Sequence, residues 1–190
     1  CRWTRAVTAC GSQLDSTGPC LHVLGGRDSE LTPDTPRNRP VYNLSRVFDF
    51  MHRRVDPHRC MRTVYVTGTK GKGSTSAIIA SMLGSCGFTV GLYTSPHLHT
   101  MRERIRINGE PLAEVEFAEL VEQVWPSVRD IARSDVPERV TTFETLTGMA
   151  LAVFAQHQLD FQVLEVGSGG TLDATNLVED PRVCVTTPYR

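Results

Sequence analysis

The fold of this chain depends on the stretch Val66-Thr67-Gly68-Thr69-Lys70-Gly71-Lys72-Gly73-Ser74-Thr75. It lies between an apolar, β-favouring run at 63–66 and a helix-like run at 77–83. Strand, glycine-rich turn and helix in this order form a cradle for phosphate, because backbone N–H groups and a helix N-terminus converge on the turn. The stretch therefore predicts a phosphate-binding site, and a turn without a ligand is the alternative.

Each residue type in this stretch has a physical role towards a phosphate. The glycines allow turn conformations and a close approach of the backbone, Lys72 supplies a point charge, and a hydroxyl from Ser74 or Thr75 suits Mg²⁺. The generic pattern G-x-x-x-x-G-K-[ST] is not met, because Gly73 separates Lys72 from Ser74. The loop is a variant, and we expect ATP to be bound by Gly68, Thr69, Gly71, Lys72, Gly73, Ser74 and Thr75.

The composition is that of an ordinary globular protein. The chain has 190 residues, 40% hydrophobic and 22% charged, with a formal net charge of -1. This balance gives no electrostatic reason for a nucleic acid or an anionic membrane as the main partner. No apolar run approaches the roughly 18 residues of a membrane span, and the first residues lack the apolar middle of a secretory signal, so a cytoplasmic location is expected.

The six cysteines form no C-x-x-C pair and no spacing typical of zinc. Cys86 and Cys184 fall in apolar runs, where a thiol behaves as a small hydrophobe. We therefore expect reduced, packed cysteines and no disulfide framework.

Hydrophobic periodicity predicts alternating strands and helices after residue 41. The expected strands are 61–67, 89–94, 161–166 and 183–186. The expected helices are 42–52, the helix that follows the glycine-rich stretch and stops at Gly87, 114–133, which Pro126 should kink or split, and 143–157. This order predicts a doubly wound, mostly parallel α/β sheet. Residues 1–40, rich in proline and glycine, are expected to be irregular or disordered.

The helices carry apolar positions that we expect to face the core. In the helix after the glycine-rich stretch they are Ile78, Ile79, Met82, Leu83 and Cys86. In the helix at 114–133 they are Phe117, Leu120, Val121, Val124, Val128 and Ile131. In the helix at 143–157 they are Leu146, Met149, Ala150, Val153 and Phe154.

The variant T-G-T-x-G-K-G-S-T resembles the nucleotide loop of the Mur ligase superfamily, and within it the folylpolyglutamate synthases and dihydrofolate synthases. Three further blocks are similar to family blocks and occur in the family's order. They are G-L-Y-T-S-P-H-L at 91–98, R-E-R-I-R-I-N-G at 102–109 and L-E-V-G-S-G-G-T-L-D-A-T-N at 164–176. Four ordered blocks make the resemblance specific, although it does not extend to residues 1–40.

The resemblance implies the P-loop-type fold of the Mur ligase central ATPase domain, with ATP and Mg²⁺ as cofactors. It also implies a monomeric ligase that joins L-glutamate to a folate or to dihydropteroate through an acyl phosphate. Because relatives are much longer, we expect residues 41–190 to be the N-terminal part of the ATP-binding domain, without the C-terminal domain. On its own, such a part should bind nucleotide but form no amide.

Two carboxylates are candidates for the metal. Glu165 lies in an apolar strand, where a carboxylate is costly unless it is paired, hydrogen-bonded or bound to metal. Together with Ser74 it would give Mg²⁺ the oxygen ligands that this ion prefers, and the family's matching glutamate is a magnesium ligand. Lys72 and Glu165 are therefore the expected catalytic residues, with a buried ion pair as the alternative for Glu165. Glu144 resembles a family position near the pterin and the metals, but a plain first-turn glutamate is the alternative.

By resemblance, several loops are expected to contact the folate. Their residues are Leu44, Ser45, Arg46, His97, Thr142, Phe143, Glu144, Leu172, Asp173 and Ala174. For residues 44–46 the alternative is a helix start with a solvated arginine. For His97 it is a solvated loop position, and for residues 172–174 it is a turn closed by Asp173. The arginines at 102–106 are expected on a solvated strand face, with Asn108-Gly109 forming a turn. Thr142, Ser168 and Thr171 depart from residues that are frequent in the family.

Three activities remain open at this stage. The residues do not distinguish a folylpolyglutamate synthase from a dihydrofolate synthase or a bifunctional enzyme. A peptidoglycan-type Mur ligase is disfavoured, because the blocks at 95–98 and 102–109 resemble folate-specific ones. A non-catalytic nucleotide-binding module is the alternative from another class.

Overall fold

A computed structural model describes residues 61–133, 140–171, 173–178 and 180–189 of the chain. The segment 1–40 and the predicted helix at 42–52, which contains Leu44, Ser45 and Arg46, lie outside these residues. Leu172 also lies outside them.

The described residues form one mixed sheet flanked by helices on both faces. Its strands are β1 (Arg62–Thr67), β2 (Val90–Tyr93), β3 (Ile105–Ile107), β4 (Glu110–Pro111), β5 (Phe161–Glu165) and β6 (Val183–Thr186). The helices are α1 (Lys72–Ser85), the 3₁₀ helix η1 (Met101–Arg104), α2 (Glu114–Arg133) and α3 (Thr142–Gln156). The strand order is β4-β3-β2-β5-β1-β6.

Four strands of this sheet run parallel, as the sequence predicts. β5 lies between β2 and β1, and β6 lies on the other side of β1. The register places Val66 of β1 opposite Glu165 of β5 and Thr67 opposite Thr186 of β6. Consequently the carboxyl ends of β1, β2, β5 and β6 share one edge of the sheet, which is where open α/β sheets bind ligands.

The antiparallel hairpin β3–β4 extends the sheet beyond β2. Its two-residue turn is Asn108-Gly109, with φ angles of 51° and 92°. Positive φ at both positions is what a type I′ hairpin turn requires, so the predicted turn is confirmed. The expected strand over the arginine run is wrong in its first half, because residues 101–104 form η1 and only 105–107 pair as a strand.

The larger core cluster lies between the sheet and the pair α2–α3. The predicted inward positions of α3 are all buried, as are Phe117, Leu120, Val121 and Val124 of α2. Pro126 does not split α2, which continues through it to Arg133. A proline removes only one backbone donor, and Val124 and Val128 hold the helix to the cluster on either side of it.

The predicted inward face of α1 is correct for Ile79 and Leu83 and wrong for Ile78, Met82 and Cys86. Ile78 and Met82 have exposed fractions of 61% and 63%, and Cys86 is exposed as well, while Ile79 and Leu83 are half-buried. Ile79, Ala80 and Leu83 pack against the smaller core cluster on this face of the sheet, and Ser76 is the one buried residue of the helix. Because apolar residues occur all around this helix, its pattern alone does not define which side packs.

The prediction that both cysteines in the described part are packed is also wrong. Cys86 caps the C-terminus of α1 and Cys184 lies on the edge strand β6, and both are exposed free thiols. An apolar neighbourhood in sequence does not bury a residue that lies at a helix end or on a sheet edge. Gly87, with a φ of 88°, ends α1 as predicted.

Candidate functional site

The glycine-rich connection between β1 and α1, residues 68–71, is the centre of the site and is called the phosphate loop below. Gly71 precedes α1 with a φ of 83°, and no side chain caps the helix. The Thr75 N–H donates to the Gly71 carbonyl oxygen over 2.9 Å, which closes the first helical turn. The N–H groups of Lys72, Gly73 and Ser74 therefore point out of the helix end, where the helix dipole favours an anion.

Glu165 lies at the end of β5, directly beside this helix end. A Cβ on Gly73 would lie 3.4 Å from Glu165 Oε2 and 3.6 Å from Oε1, so the carboxylate faces the first turn of α1. Its side chain is buried, and Oε2 accepts a hydrogen bond of 2.9 Å from the Ser95 N–H. Burial raises the pKa of Glu165, while the Ser95 bond and the positive charge of Lys72 oppose the rise.

The ends of β1, β2 and β5 thus place Glu165 beside the first turn of α1, where Lys72 lies. Lys72 is half-buried at the start of α1, Ser74 is exposed and Thr75 is half-buried. Ser95 is not among the predicted site residues, although its position two residues after β2, at the carboxyl edge of the sheet, indicates a place near the ligand.

The donor set fits Mg²⁺ carried by a phosphate. In the described residues no group of three or more His, Cys, Asp or Glu side chains is arranged to hold a metal. A magnesium ion bound with phosphate needs only one or two protein oxygens, since phosphate and water supply the others. Glu165 provides one such oxygen, and the hydroxyl of Ser74, in the first turn of α1, is the second candidate.

Glu144 is committed to the N-terminus of α3. Its Oε2 accepts a 2.6 Å hydrogen bond from the Thr141 N–H, and its own N–H donates to Thr141 Oγ1 over 3.2 Å. These reciprocal bonds form a capping box, in which two N–H groups at the helix start are satisfied. This geometry is that of the first-turn alternative, and a metal or pterin contact of Glu144 stays a prediction.

Phe143 and Thr142 lie at the same helix start. A Cβ on Gly167 would lie 2.6 Å from Phe143 Cζ, so the aromatic ring packs directly on the backbone that follows β5. Thr142 is half-buried. The start of α3 therefore borders the loop after β5, as a shared substrate site requires.

The loop after β5, residues 167–175, is held by Asp173. Oδ2 of this buried carboxylate accepts from the Ser168 N–H over 2.7 Å, and Oδ1 accepts from the N–H and the hydroxyl of Thr175 over 3.0 and 2.6 Å. Burial raises the pKa of Asp173 despite these bonds. Asp173 therefore closes a turn, which is the alternative to a substrate contact. The methyl group of Ala174 packs in the larger core cluster.

His97 is linked to a buried arginine. Arg104 Nε donates to His97 Nδ1 over 2.9 Å, and only 4% of Arg104 is exposed. The expected solvated face is therefore wrong for Arg104, because η1 turns its side chain inward towards Tyr93. Burial raises the pKa of Tyr93, which Arg104 partly opposes. A histidine that accepts at Nδ1 in its neutral form carries its proton on Nε2.

Comparisons with known proteins connect this geometry to a family. No family model matches the chain. The dihydrofolate synthase/folylpolyglutamate synthase of Bacillus subtilis (strain 168) is 41% identical over 145 residues, which are 76% of this chain and 34% of the relative. The structure of Mycobacterium tuberculosis folylpolyglutamate synthase complexed with ADP and AMPPCP is 34% identical at a TM-score of 0.75, covering 78% of this chain and 34% of that one. An FPGS-AMPPCP-folate complex is 37% identical at a TM-score of 0.73, covering 80% and 37%.

The chain belongs to the folylpolyglutamate synthase and dihydrofolate synthase family. It spans 34% of the length of the Bacillus relative. The fold of this family member is the one that the resemblance implies, because the agreement with the solved synthases covers most of the described residues. None of its described helices combines the length and the apolar character that a membrane crossing needs.

Ser168 and Thr171, two of the departures from the family pattern, are both exposed on the loop after β5. The Thr171 carbonyl oxygen accepts from Asn176 Nδ2 over 2.9 Å. The loop therefore keeps a closed conformation in this family member although its exposed side chains differ.

Glu103, in the block at 102–109, holds the preceding segment through three hydrogen bonds from backbone N–H groups. Its Oε1 accepts from the His99 and Thr100 N–H groups, over 3.0 and 2.9 Å, and its Oε2 accepts from the Leu98 N–H over 3.0 Å. These bonds lower the pKa of Glu103 from 4.5 to about 2. The ionised carboxylate thereby fixes the segment that leads from His97 to η1.

We expect Glu103→Gln to weaken the acid sensitivity of this family member. Because the folded-state pKa is lowered, Glu103 contributes stability above pH 4.5, and this contribution is lost as the pH falls towards 2. Urea unfolding at about pH 7 and about pH 3 measures the loss. Glu110→Gln, at an exposed position, is the matched control, and an equal loss in the wild type and in Glu103→Gln would contradict the expectation.

Proposed function

We propose that this chain provides the nucleotide-binding part of an ATP-dependent ligase that joins L-glutamate to a folate or to dihydropteroate. The observation that supports this most is the position of Glu165, a buried carboxylate aimed at the first turn of α1 beside Lys72. Burying a carboxylate is costly, and a single hydrogen bond from Ser95 offsets only part of this cost. A magnesium ion carried by a nucleotide phosphate would supply the missing positive charge.

The phosphate loop and α1 would bind the nucleotide through its phosphates. N–H groups at the start of α1 donate to phosphate oxygens, and Lys72 places its charge against the outer phosphate. Ser74 and Glu165 hold Mg²⁺, with Gly68, Thr69, Gly71, Gly73 and Thr75 completing the cradle. A Cβ at Gly73 would already be in contact with the Glu165 carboxylate, at 3.4 Å from Oε2, so a long side chain there would compete with the metal for this carboxylate.

When bound, magnesium ATP would supply the γ-phosphoryl group: a carboxylate oxygen of the pterin substrate would attack the γ-phosphorus, the bond to the bridging oxygen would break, and ADP would leave. The amino group of glutamate would then attack the carbonyl carbon of the acyl phosphate, lose a proton, and displace inorganic phosphate as the C–O bond breaks. In this scheme Lys72 neutralises negative charge that develops on the transferred group, and the loop backbone fixes its direction. The protein would therefore contribute to catalysis mainly by positioning the reactants and by electrostatic stabilisation.

The folate would lie beside the start of α3 and the two loops that follow β2 and β5. His97, with its proton on Nε2, can donate to a substrate oxygen, and Phe143 offers a ring edge beside Gly167. Thr142, Glu144, Asp173 and Ala174 border the same region. Leu44, Ser45, Arg46 and Leu172 belong to the proposal through the family resemblance alone.

The proposal extends to the setting of the enzyme. Residues 41–190 correspond to the N-terminal part of the ATP-binding domain, preceded by an irregular segment at 1–40. We further propose a monomeric protein that works in the cytoplasm and does not bind nucleic acid.

We expect Glu165→Gln to remove the Mg²⁺ dependence of nucleotide binding. In calorimetric titrations with ATP, the wild type should bind roughly tenfold more tightly with Mg²⁺ than with a chelator, a difference of about 1.4 kcal/mol. The amide of Glu165→Gln keeps the shape of the side chain but loses the charge that attracts the ion, so the two affinities should converge.

Glu119→Gln, an exposed carboxylate on α2, is the matched control and should keep the wild-type difference. If Glu165→Gln kept the full Mg²⁺ effect, this result would contradict the role of Glu165 as a metal ligand. A wild-type chain that binds no ATP at all would contradict the proposed nucleotide site itself.

A further inference from the structure

Three residues that directly follow β6, residues 187–189, hold the start of the phosphate loop and are called the β6 extension below. The Thr187 N–H and hydroxyl both donate to the Thr67 carbonyl oxygen, over 2.8 and 3.1 Å. The Thr69 N–H donates to the Pro188 carbonyl oxygen over 3.1 Å. Tyr189 adds a hydroxyl contact of 2.9 Å with Thr67 Oγ1. The chain is therefore held on both sides of Gly68.

Gly68 itself lies in contact with Thr187. A Cβ on Gly68 would lie 2.1 Å from Thr187 Oγ1 and 2.5 Å from the Thr187 carbonyl oxygen, so the two backbones approach as closely as the absence of a side chain allows. Thr187 is buried, with 8% of it exposed. The hydroxyl of Thr187 thus fills the space that a glycine leaves at the exit of β1.

The other half of the loop has no such support. A Cβ on Gly71 would meet no atom within 4 Å, and Lys70 is exposed. The β6 extension therefore determines where the loop leaves the sheet, while the helix start determines where it ends. A loop held at both ends loses little conformational freedom when it binds a ligand, and ordering a free residue costs about 1 to 2 kcal/mol of backbone entropy.

We infer that Thr187 is a positioning residue for nucleotide binding, because its hydroxyl and backbone fix the Thr67–Gly68 peptide at the start of the phosphate loop. The inference rests on the proposed nucleotide site and adds to it a residue from a distant strand. Thr187 does not contact the phosphates in this role. It acts through Thr67 and Gly68.

The test compares three variants of the full 190-residue chain. Thr187→Ala removes the hydroxyl without adding volume, Thr187→Ser keeps it, and Thr186→Ala changes an exposed threonine one position earlier on β6. We expect Thr187→Ala to weaken magnesium ATP binding about fivefold in calorimetry, since it removes one of the two hydrogen bonds to the Thr67 carbonyl oxygen. Thr187→Ser and Thr186→Ala should stay within about twofold of the wild type.

The Thr69 amide resonance supplies a second readout that needs no nucleotide. This amide donates to Pro188, so a displaced extension should shift its NMR signal in Thr187→Ala and leave it in place in Thr186→Ala. An unchanged affinity in a Thr187→Ala chain that is merely less stable to urea would overturn the inference. If the wild type fails to bind ATP, the proposed function falls, and an unshifted Thr69 resonance in Thr187→Ala would then overturn the positioning role as well.

Discussion

Gly68→Ala should lower the free energy of unfolding by about 2 to 6 kcal/mol, which is a large part of the 5 to 15 kcal/mol that typically stabilises a domain. Two effects combine. Gly68 has a φ of 129°, a conformation that is strained for any residue with a side chain. In addition, its Cβ would lie 2.5 Å from the Thr187 carbonyl oxygen and 2.9 Å from the carbonyl carbon, and backbone atoms cannot turn away as a side chain can.

Two further glycines in the same region separate these effects. Gly71 also has a positive φ, 83°, but a Cβ there meets no atom within 4 Å, so Gly71→Ala should cost only the backbone strain of about 1 to 2 kcal/mol. Gly84 lies inside α1 with the same free space and ordinary dihedrals, so Gly84→Ala should stabilise by about 1 kcal/mol. Urea denaturation of the three variants gives this order, and equal midpoints for Gly68→Ala and Gly71→Ala would show that the Thr187 contact yields easily.

Lys72→Ala should reduce the affinity for magnesium ATP by about 10- to 100-fold, because a hydrogen bond from a charged donor contributes about 1.5 to 3 kcal/mol. Lys72 is the first residue of α1, and its charge already acts on Glu165 across the site. A bound phosphate would meet the same charge. Without the charge of Lys72, only the N-terminus of α1 and the amides of the loop would bind the phosphate.

Lys70→Ala is the matched control for this measurement. Lys70 carries the same charge two positions earlier but is exposed on the outer side of the loop. Calorimetry at low and at moderate salt should show a large loss for Lys72→Ala and a small, salt-dependent one for Lys70→Ala. Equal losses in the two variants would mean that the chain attracts ATP through its local net charge and not through a lysine at the phosphates.

The sequence predicted the structure correctly where a segment has one clear hydrophobic or glycine pattern. The amphipathic stripe of α2 predicted its buried side, and the glycine spacing predicted the connection between β1 and α1. The stripe of α3 predicted buried residues correctly but understated its burial, because every residue from 144 to 154 is buried. Glu165 could be placed because a carboxylate in an apolar strand has few explanations. The pattern Thr141-x-x-Glu144 is typical of a capping box, which the structure forms and which agrees with the first-turn alternative for Glu144.

Other features depend on contacts that no local pattern contains. α1 has no distinct apolar side, so only the position of the sheet decides that Ser76 is buried and Ile78 is exposed. Arg104 is buried because η1, His97 and Tyr93 enclose it, whereas its sequence neighbours suggested a solvated strand. The role of Thr187 requires that a strand far along the chain lie beside β1, which only the sheet order shows.

The sheet divides the apolar interior into two unequal layers, and this affects how the molecule opens. On the α2–α3 side the larger cluster contains about four times as many buried side chains as on the α1 side, where Val64, Val66, Val90, Leu92 and Val163 form the whole buried set of the described residues. Segments with few buried contacts unfold locally at the lowest free-energy cost, so hydrogen exchange should be fastest in α1 and slowest in α3 and β5. The helix that is proposed to bind the nucleotide is therefore also the one that a bound nucleotide would protect most.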